Sequence, residues 1–167
     1  MARRTSVNYL DRLYASLPYL LPIAAVVVFG AFLFLQFPPL FFVFFPVFKL
    51  NQILSIPILD FISIRFVAWF CVFIFVVRSY KVNHFVRFNA MQALLLDIIV
   101  ALVGAITQLL EVVLGQLAFF PFMLQIIASV TFLGITTAFI YSVFECIRGK
   151  YADKIPVISD VAYSQVR

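Results

Sequence analysis

The sequence is poor in charged residues and cysteine, and it has a single histidine. Charged residues make up 11% of the 167 positions and hydrophobic residues 65%, whereas a typical soluble domain is about 25% charged. Phe alone occupies 22 positions, more apolar surface than a core of this size can hide from water. The cysteines, Cys71 and Cys146, lie in apolar runs and form neither a disulfide framework nor a CxxC pair, so we interpret both as packing residues. These scarcities exclude a water-soluble globular domain and indicate a protein embedded in lipid.

Patterns typical of catalysis and metal binding are also missing. His84 stands between Lys81 and Arg87 without a neighbouring Cys, Asp or second His, so it cannot complete a metal site. The sequence contains no Ser-His-Asp series, HExxH, Walker loop or GxGxxG motif. We therefore expect neither enzymatic activity nor a cofactor.

Long uncharged runs predict membrane-spanning helices. No residue is charged from 13 to 48 or from 112 to 144, and both stretches exceed the roughly 20 residues that cross a bilayer. A third run can span if Arg65 reaches the membrane boundary with its long side chain, and a fourth if neighbouring helices shelter Asp97. The fold class is therefore predicted as an all-α polytopic membrane protein. Its four transmembrane helices are predicted at 17–35, 58–77, 85–110 and 121–144.

Two further segments have distinct patterns. Residues 8–16 combine charged residues with leucines and tyrosines, which is typical of a short amphipathic helix at the membrane interface. The pair Pro38-Pro39 ends the first span within a run of phenylalanines, so we expect 37–48 to be a short interfacial or re-entrant segment. That segment either anchors an outer loop as an aromatic belt or presents an apolar surface to a partner. The predicted organisation is a basic amphipathic N-terminal segment (1–16), a four-helix transmembrane domain (17–148) and a polar C-terminal tail (149–167).

The placement of positive charge predicts the orientation in the membrane. Lys and Arg gather in short loops on the cytoplasmic side, so the net charge of +5 reports sidedness and not nucleic-acid binding. Four spans put nearly all of these residues on one side and leave Lys49 and Arg65 on the other. Both termini should therefore face the cytoplasm or the plastid stroma. The loop with Arg78, Lys81 and Arg87 should lie on that side, as a contact for acidic partners or lipid headgroups.

The third predicted span carries small and polar residues along one helical face. An intramembrane acid is costly unless it is protonated, paired or hydrated, so Asp97 is a candidate functional residue. A similar series in the fourth span, from Thr131 to Glu145, could meet this face, and hydrogen bonds from that helix would give Asp97 a packing role alone. The predicted helix-packing or translocation face consists of Asn89, Ala93, Asp97, Ala101, Gly104, Gln108 and Glu111.

Two stretches of the sequence resemble one membrane-protein family. The first is Leu17-Pro18-Tyr19-Leu20-Leu21-Pro22, and the more specific one is the block 84–93, which is too long and too polar to be an accident of hydropathy. They resemble the Tic-twenty (Tic20) family, the small four-span subunit of the translocon at the inner envelope membrane of chloroplasts, with cyanobacterial relatives. The resemblance covers roughly 11–148. The motif residues within the block are His84, Phe85, Arg87, Phe88, Asn89 and Gln92.

The resemblance implies a membrane subunit of a preprotein-import complex that contributes to the channel, in a cyanobacterial membrane or the plastid inner envelope. The implied partners are membrane lipids, other translocon membrane subunits and translocating preproteins, with a homo-oligomer left open. A bundle of four helices has little room for a central pore, so a path would need several copies or other subunits. Two alternatives remain: a structural or assembly subunit of another membrane complex, and a small-molecule or ion carrier that uses Asp97.

Overall fold

The computed structural model describes residues 7–59 and 62–166, which are almost entirely helical. Among these residues, three helices are long and apolar enough to cross a membrane, and two shorter helices are also apolar. The chain is thus a polytopic helical membrane protein, as predicted. In chain order the helices are α1 (Tyr9–Gln36), α2 (Pro38–Leu54), α3 (Ile64–Val77), α4 (His84–Leu114), α5 (Phe120–Ile147) and α6 (Ile158–Gln165).

α1 joins the predicted amphipathic segment to the first predicted span without a break. Asn8 caps its start, because the Asn8 side chain accepts a hydrogen bond from Tyr9 N and Asp11 Oδ2 accepts one from Asn8 N. A short 3₁₀ stretch at Leu17–Tyr19 separates the amphipathic turns from the apolar ones. Gly30 lies further along, and a Cβ placed there would come within 2.9 Å of the Phe132 ring of α5. Glycine therefore allows α1 and α5 to approach closely.

α2 extends beyond the predicted segment 37–48 to Leu54. Its proline pair occupies the first helical turn, where no backbone N–H donor is needed. Near its start, the Phe44 ring lies 5.8 Å from that of Phe34 in α1 and 5.1 Å from that of Phe132. At its end, Leu54 packs against Leu21 of α1. α2 therefore lies along α1 in the antiparallel direction.

The second predicted span is helical only from Ile64 onward, so the prediction of a helix from 58 is wrong. Strands β1 (Pro57–Leu59) and β2 (Ile62–Ser63) pair antiparallel before α3 begins. β-Branched residues and a proline favour extended backbone here, and hydropathy does not distinguish an apolar strand from an apolar helix. As a result, α3 alone is shorter than the roughly 20 residues that cross a bilayer.

α4 and α5 confirm the third and fourth predicted helices. The first half of α4 packs against α1, α3, α5 and α6, and the core around it contains Ile23, Leu96 and Phe132. Its second half is largely exposed, with Leu109 and Val112 among the outward-facing side chains. The lateral surface of the bundle is accordingly apolar, as expected of a protein in lipid.

The start of α1, the start of α4 and the end of α5 lie at one end of the bundle. Arg12 Nη1 donates a hydrogen bond of 3.1 Å to the carbonyl of Ile147, at the negative end of the α5 dipole. Gly149 closes α5 with a φ of 70°, a conformation that favours glycine. His84 Nδ1 lies 3.2 Å from Tyr151 Oη in the tail. These contacts bring the N-terminal turns and the C-terminal tail together.

Candidate functional site

The predicted polar face of α4 has a buried part and an open part. Asn89 and Ala93 are fully buried, and Asp97 is 6% exposed. Gly104 is half-buried, and the other residues of the second half of this face are exposed. The buried part therefore packs against other helices of this chain, while the open part can contact lipid or another protein. The open part consists of Ala101, Gly104, Gln108 and Glu111.

Asp97 is paired with an arginine from α3. Arg65 Nη1 lies 3.4 Å from Asp97 Oδ1, and Arg65 Nη2 donates a hydrogen bond of 2.7 Å to Asn51 Oδ1 of α2. The Arg65 side chain is 20% exposed and the Asp97 side chain 8% exposed. A charge inside a membrane bundle needs such a partner. One guanidinium thus connects α2, α3 and α4.

This pairing differs from the contacts expected for both residues. The sequence suggested that Arg65 reaches the membrane boundary, and it left open whether Asp97 is a functional residue or accepts hydrogen bonds from the fourth span in a packing role. The structure instead pairs them with each other. Opposite charges in neighbouring predicted spans were a signal for this contact. Whether Arg65 faces Asp97 depends on the residue at which α3 begins, and the apolar sequence does not reveal that residue.

An open cavity of about 470 Å³ lies next to the ion pair. α1 contributes Ala25 and Phe29 to its wall, α2 contributes Asn51, and Ser55 follows directly after the end of α2. Small side chains on α4 leave the space open. The cavity can therefore hold polar groups near the ion pair and apolar groups near α1. Its α4 wall consists of Asp97, Val100, Ala101, Gly104, Ala105 and Gln108.

The small residues of α4 face α1 rather than the matching series on α5. A Cβ placed on Gly104 would lie 3.6 Å from the Phe29 ring, an ordinary van der Waals distance. A Cβ on Gly134 of α5 would meet no described atom of another element within 4 Å. The two small-residue series therefore do not pack against each other at these glycines.

A second buried polar cluster lies near the start of α4, within the block 84–93. Tyr19 Oη lies 3.1 Å from both Asn89 Oδ1 and Gln92 Oε1, each an acceptor for its single proton. Cys146 Sγ donates to Asn89 Oδ1 at 3.2 Å, and Gln92 Nε2 donates to the carbonyl of Ala152 at 2.9 Å. Two amides thus join α1, α4, α5 and the tail. Sequence reasoning assigned no role to Tyr19 and treated Cys146 as packing alone, although Tyr19 lies in the other family-like stretch.

Aromatic side chains of the same block bind the tail to α4. Phe85 and Phe88 are fully buried, and each ring centroid lies 5.3 Å from that of Tyr151. The Phe88 ring also lies 4.3 Å from that of Tyr163 in α6. Burial raises the pKa of Tyr151 and of Tyr163, so both phenols stay neutral near pH 7. This contact is accordingly an apolar one.

The basic loop before α4 contains fewer exposed charges than the sequence suggested. Arg87 lies within α4, is 9% exposed and donates from Nε to the carbonyl of Val77 at 2.9 Å. Arg78 and Lys81 remain exposed. Arg87 therefore ties the end of α3 to α4, and only the other two residues are open to partners. Among the described residues, no group of His, Cys, Asp and Glu side chains could hold a metal ion.

Comparisons with known proteins agree with the resemblance of the two stretches. A family described as "Chloroplast import apparatus Tic20-like" matches residues 3–162. The chain is 34% identical over 168 residues to a "Tic20 family protein" of Synechocystis sp. (strain ATCC 27184 / PCC 6803 / Kazusa), covering 100% of this chain and 99% of the relative. It is 33% identical over 158 residues to "Protein TIC 20-II, chloroplastic" of Arabidopsis thaliana, covering 93% of this chain and 72% of the relative.

Proposed function

Because the chain belongs to the Tic20 family, which comprises translocon components and not enzymes, we propose that it is a membrane subunit of a protein-translocation complex that moves preproteins. The observation that carries this proposal is the family match over residues 3–162, which includes all five apolar helices and both polar clusters. The similar proteins are cyanobacterial and chloroplastic, so the proposed location is a cyanobacterial membrane or the plastid inner envelope.

The proposed topology has four spans, of which the second is broken. α2 runs back along α1, and α3 continues in the same direction after the β1–β2 turn. Asn51 and Arg65, on either side of that turn, both contact the region of Asp97. Asp97 lies about 20 Å from the start of α4 and about 26 Å from its end, by helical rise. A break at such a depth is tolerated where it is covered by protein or lines a cavity. Ser55 lines the cavity, and the exposed Ile58 and Leu59 of β1 would need cover from another subunit.

The positive charges support an orientation with both termini in the cytoplasm or stroma. Arg12, the exposed Arg78 and Lys81, and Arg148 belong to segments near the end of the bundle where α1 begins and α5 ends. Positively charged loops favour the cytoplasmic side. In this arrangement the amphipathic turns of α1 and the polar tail lie at the same membrane surface.

The preprotein path is proposed to run along the open part of the polar face, outside the bundle core. The core is filled by side chains such as Tyr19 and Phe132, so there is no room for a polypeptide between the helices. On α2, Lys49 and Gln52 are exposed and bond to each other at 3.3 Å. Polar groups inside a membrane need water or a partner. A path formed between this subunit and others would supply water and polar partners to these groups.

The carrier alternative receives little support from the ion pair. A carboxylate that couples to a proton or cation must be free to bind and release it, whereas Asp97 is already paired with Arg65. We expect proton and cation flux through vesicles that contain the protein to be the same for wild type and Asp97→Asn. Flux that Asp97→Asn abolishes would favour the carrier instead.

Depletion followed by a transport assay tests the proposed function. We expect membrane vesicles that lack the protein to protect much less of an added precursor from protease, and re-expression of the wild type to restore protection. Insertion of a membrane protein that does not use the complex serves as the control. Unchanged precursor transport, together with loss of another membrane complex, would contradict the proposal and favour the assembly role.

A further inference from the structure

A second cavity, separate from the ion pair, forms an apolar groove on the side of the bundle. It has a volume of about 590 Å³, within the range of ligand sites. α1 contributes Leu20, α2 contributes Leu50 and Leu54, and α3 contributes Ala68 and Val72. The groove follows α3 from Ala68 to Val76, about two turns or roughly 12 Å. Neither polar cluster lines its walls.

One end of the groove is polar and the rest is apolar. Asp11, Lys81 and Asn83 line this end. Asp11 Oδ2 already accepts hydrogen bonds from Asn8 N at 3.1 Å and from Asn83 Nδ2 at 3.2 Å. Lys81 belongs to neither ion pair found among the described residues, and its side chain is exposed. The mouth of the groove thus holds the exposed Lys81 ammonium and the Asp11 carboxylate, which already accepts two hydrogen bonds, and hydrocarbon lines the rest of its length.

We propose that this groove holds one acyl chain of an anionic phospholipid whose headgroup phosphate lies against Lys81. The apolar wall matches an acyl chain, and a lysine at the membrane surface attracts anionic headgroups. Lys81 follows α3 in a loop, so the headgroup lies at the membrane surface and the chain extends toward Leu50 and Leu54. The site places a lipid between α1, α2 and α3, nearer the Lys81 end of α3 than the Arg65–Asp97 contact is.

Lipid binding to the purified full-length chain in neutral detergent tests the proposal. The probes are phosphatidylglycerol and phosphatidylcholine with identical fluorescent acyl chains. Wild type should bind phosphatidylglycerol more tightly, and Lys81→Gln should weaken that binding about fivefold while leaving phosphatidylcholine unchanged. Lys150→Gln removes an exposed lysine that does not line the groove and should change neither affinity.

Larger side chains in the groove test the binding of the acyl chain separately from the binding of the headgroup. Val72→Trp should weaken the binding of both lipids. If Val72→Trp prevents folding, the milder Ala68→Leu should weaken the binding of both lipids to a smaller extent. Equal losses of phosphatidylglycerol binding in Lys81→Gln and Lys150→Gln would overturn the headgroup site. Wild-type affinity for both lipids in a folded Ala68→Leu variant would overturn the acyl-chain site.

Discussion

Arg65 is the residue that links α2, α3 and α4 in the interior of the bundle. Its guanidinium contacts Asp97 and Asn51, so one side chain satisfies polar groups on two other helices. Removing one partner of a buried pair leaves an unpaired charge, whereas removing both leaves neutral groups. The stability of the bundle should therefore depend on the match between the two charges more than on either residue alone.

Single neutralisations of this pair are expected to destabilise the protein. Asp97→Asn and Arg65→Gln should each lower the melting temperature in detergent, and the double variant should lose less than the sum of the two. The expected coupling free energy is about 0.5–3 kcal/mol, the range for residues in contact. A double-mutant cycle of thermal unfolding measures it.

Gln108→Ala is the matched control, because Gln108 lies on the same face of α4 without a hydrogen-bonding side-chain partner among the described residues. Its melting temperature should stay near that of the wild type. Additive losses in the double variant would show that Arg65 and Asp97 do not stabilise each other.

The sequence was sufficient to select Asp97 and the block 84–93 as special. It was not sufficient to identify the partners, because Tyr19 and Arg65 lie far away in the chain and their positions depend on helix register. The polar residues of the block turn out to fasten four segments together. A motif with this many polar residues can thus serve to hold helices together through buried hydrogen bonds.

Among the elements, the β1–β2 turn has the largest effect on the architecture. It separates α2 from α3 and places Ser55 beside the cavity with Asn51 and Arg65. Hydropathy predicted the long helices well, since an apolar run of spanning length has few alternatives. It failed at 58–59 and 62–63, where local β-branched residues and a proline outweigh the helical pattern.

Cysteine accessibility tests whether this break lies inside the membrane. In a background of Cys71→Ala and Cys146→Ser, Ser55→Cys should react with a small hydrophilic thiol reagent that enters the cavity, and only slowly with a bulky maleimide. The physical reason is that the cavity admits small molecules while lipid and protein shield it from large ones.

Cysteines at two further positions serve as controls for the labelling of Ser55→Cys. Ile74→Cys places a thiol on the exposed apolar surface of α3 and should react with neither reagent. Lys81→Cys places one in the exposed loop and should react with both. If Ser55→Cys reacts with the bulky maleimide as fast as Lys81→Cys does, the break lies in water and the broken-span topology is wrong.

Across residues 7–59 and 62–166, side chains fill the core of the bundle and leave no enclosed path for a polypeptide. Its free polar surface is on the outside, along the second half of α4 and the exposed side of α2. Composition was enough to predict a polytopic helical membrane protein, and the placement of positive charge predicts its orientation. They could not predict which part of the α4 face is left open, because that depends on how far α2 returns along α1.

Site-specific photo-crosslinking during translocation tests the central claim most directly. A photoreactive residue at Ala101, on the open polar face, is compared with one at Leu102, whose side chain is also exposed but does not line the cavity. With a precursor arrested in transit, Ala101 should crosslink to the precursor and Leu102 should not. Crosslinks from Ala101 to other membrane subunits alone, with none to the precursor, would contradict the proposed path and make this protein a scaffold.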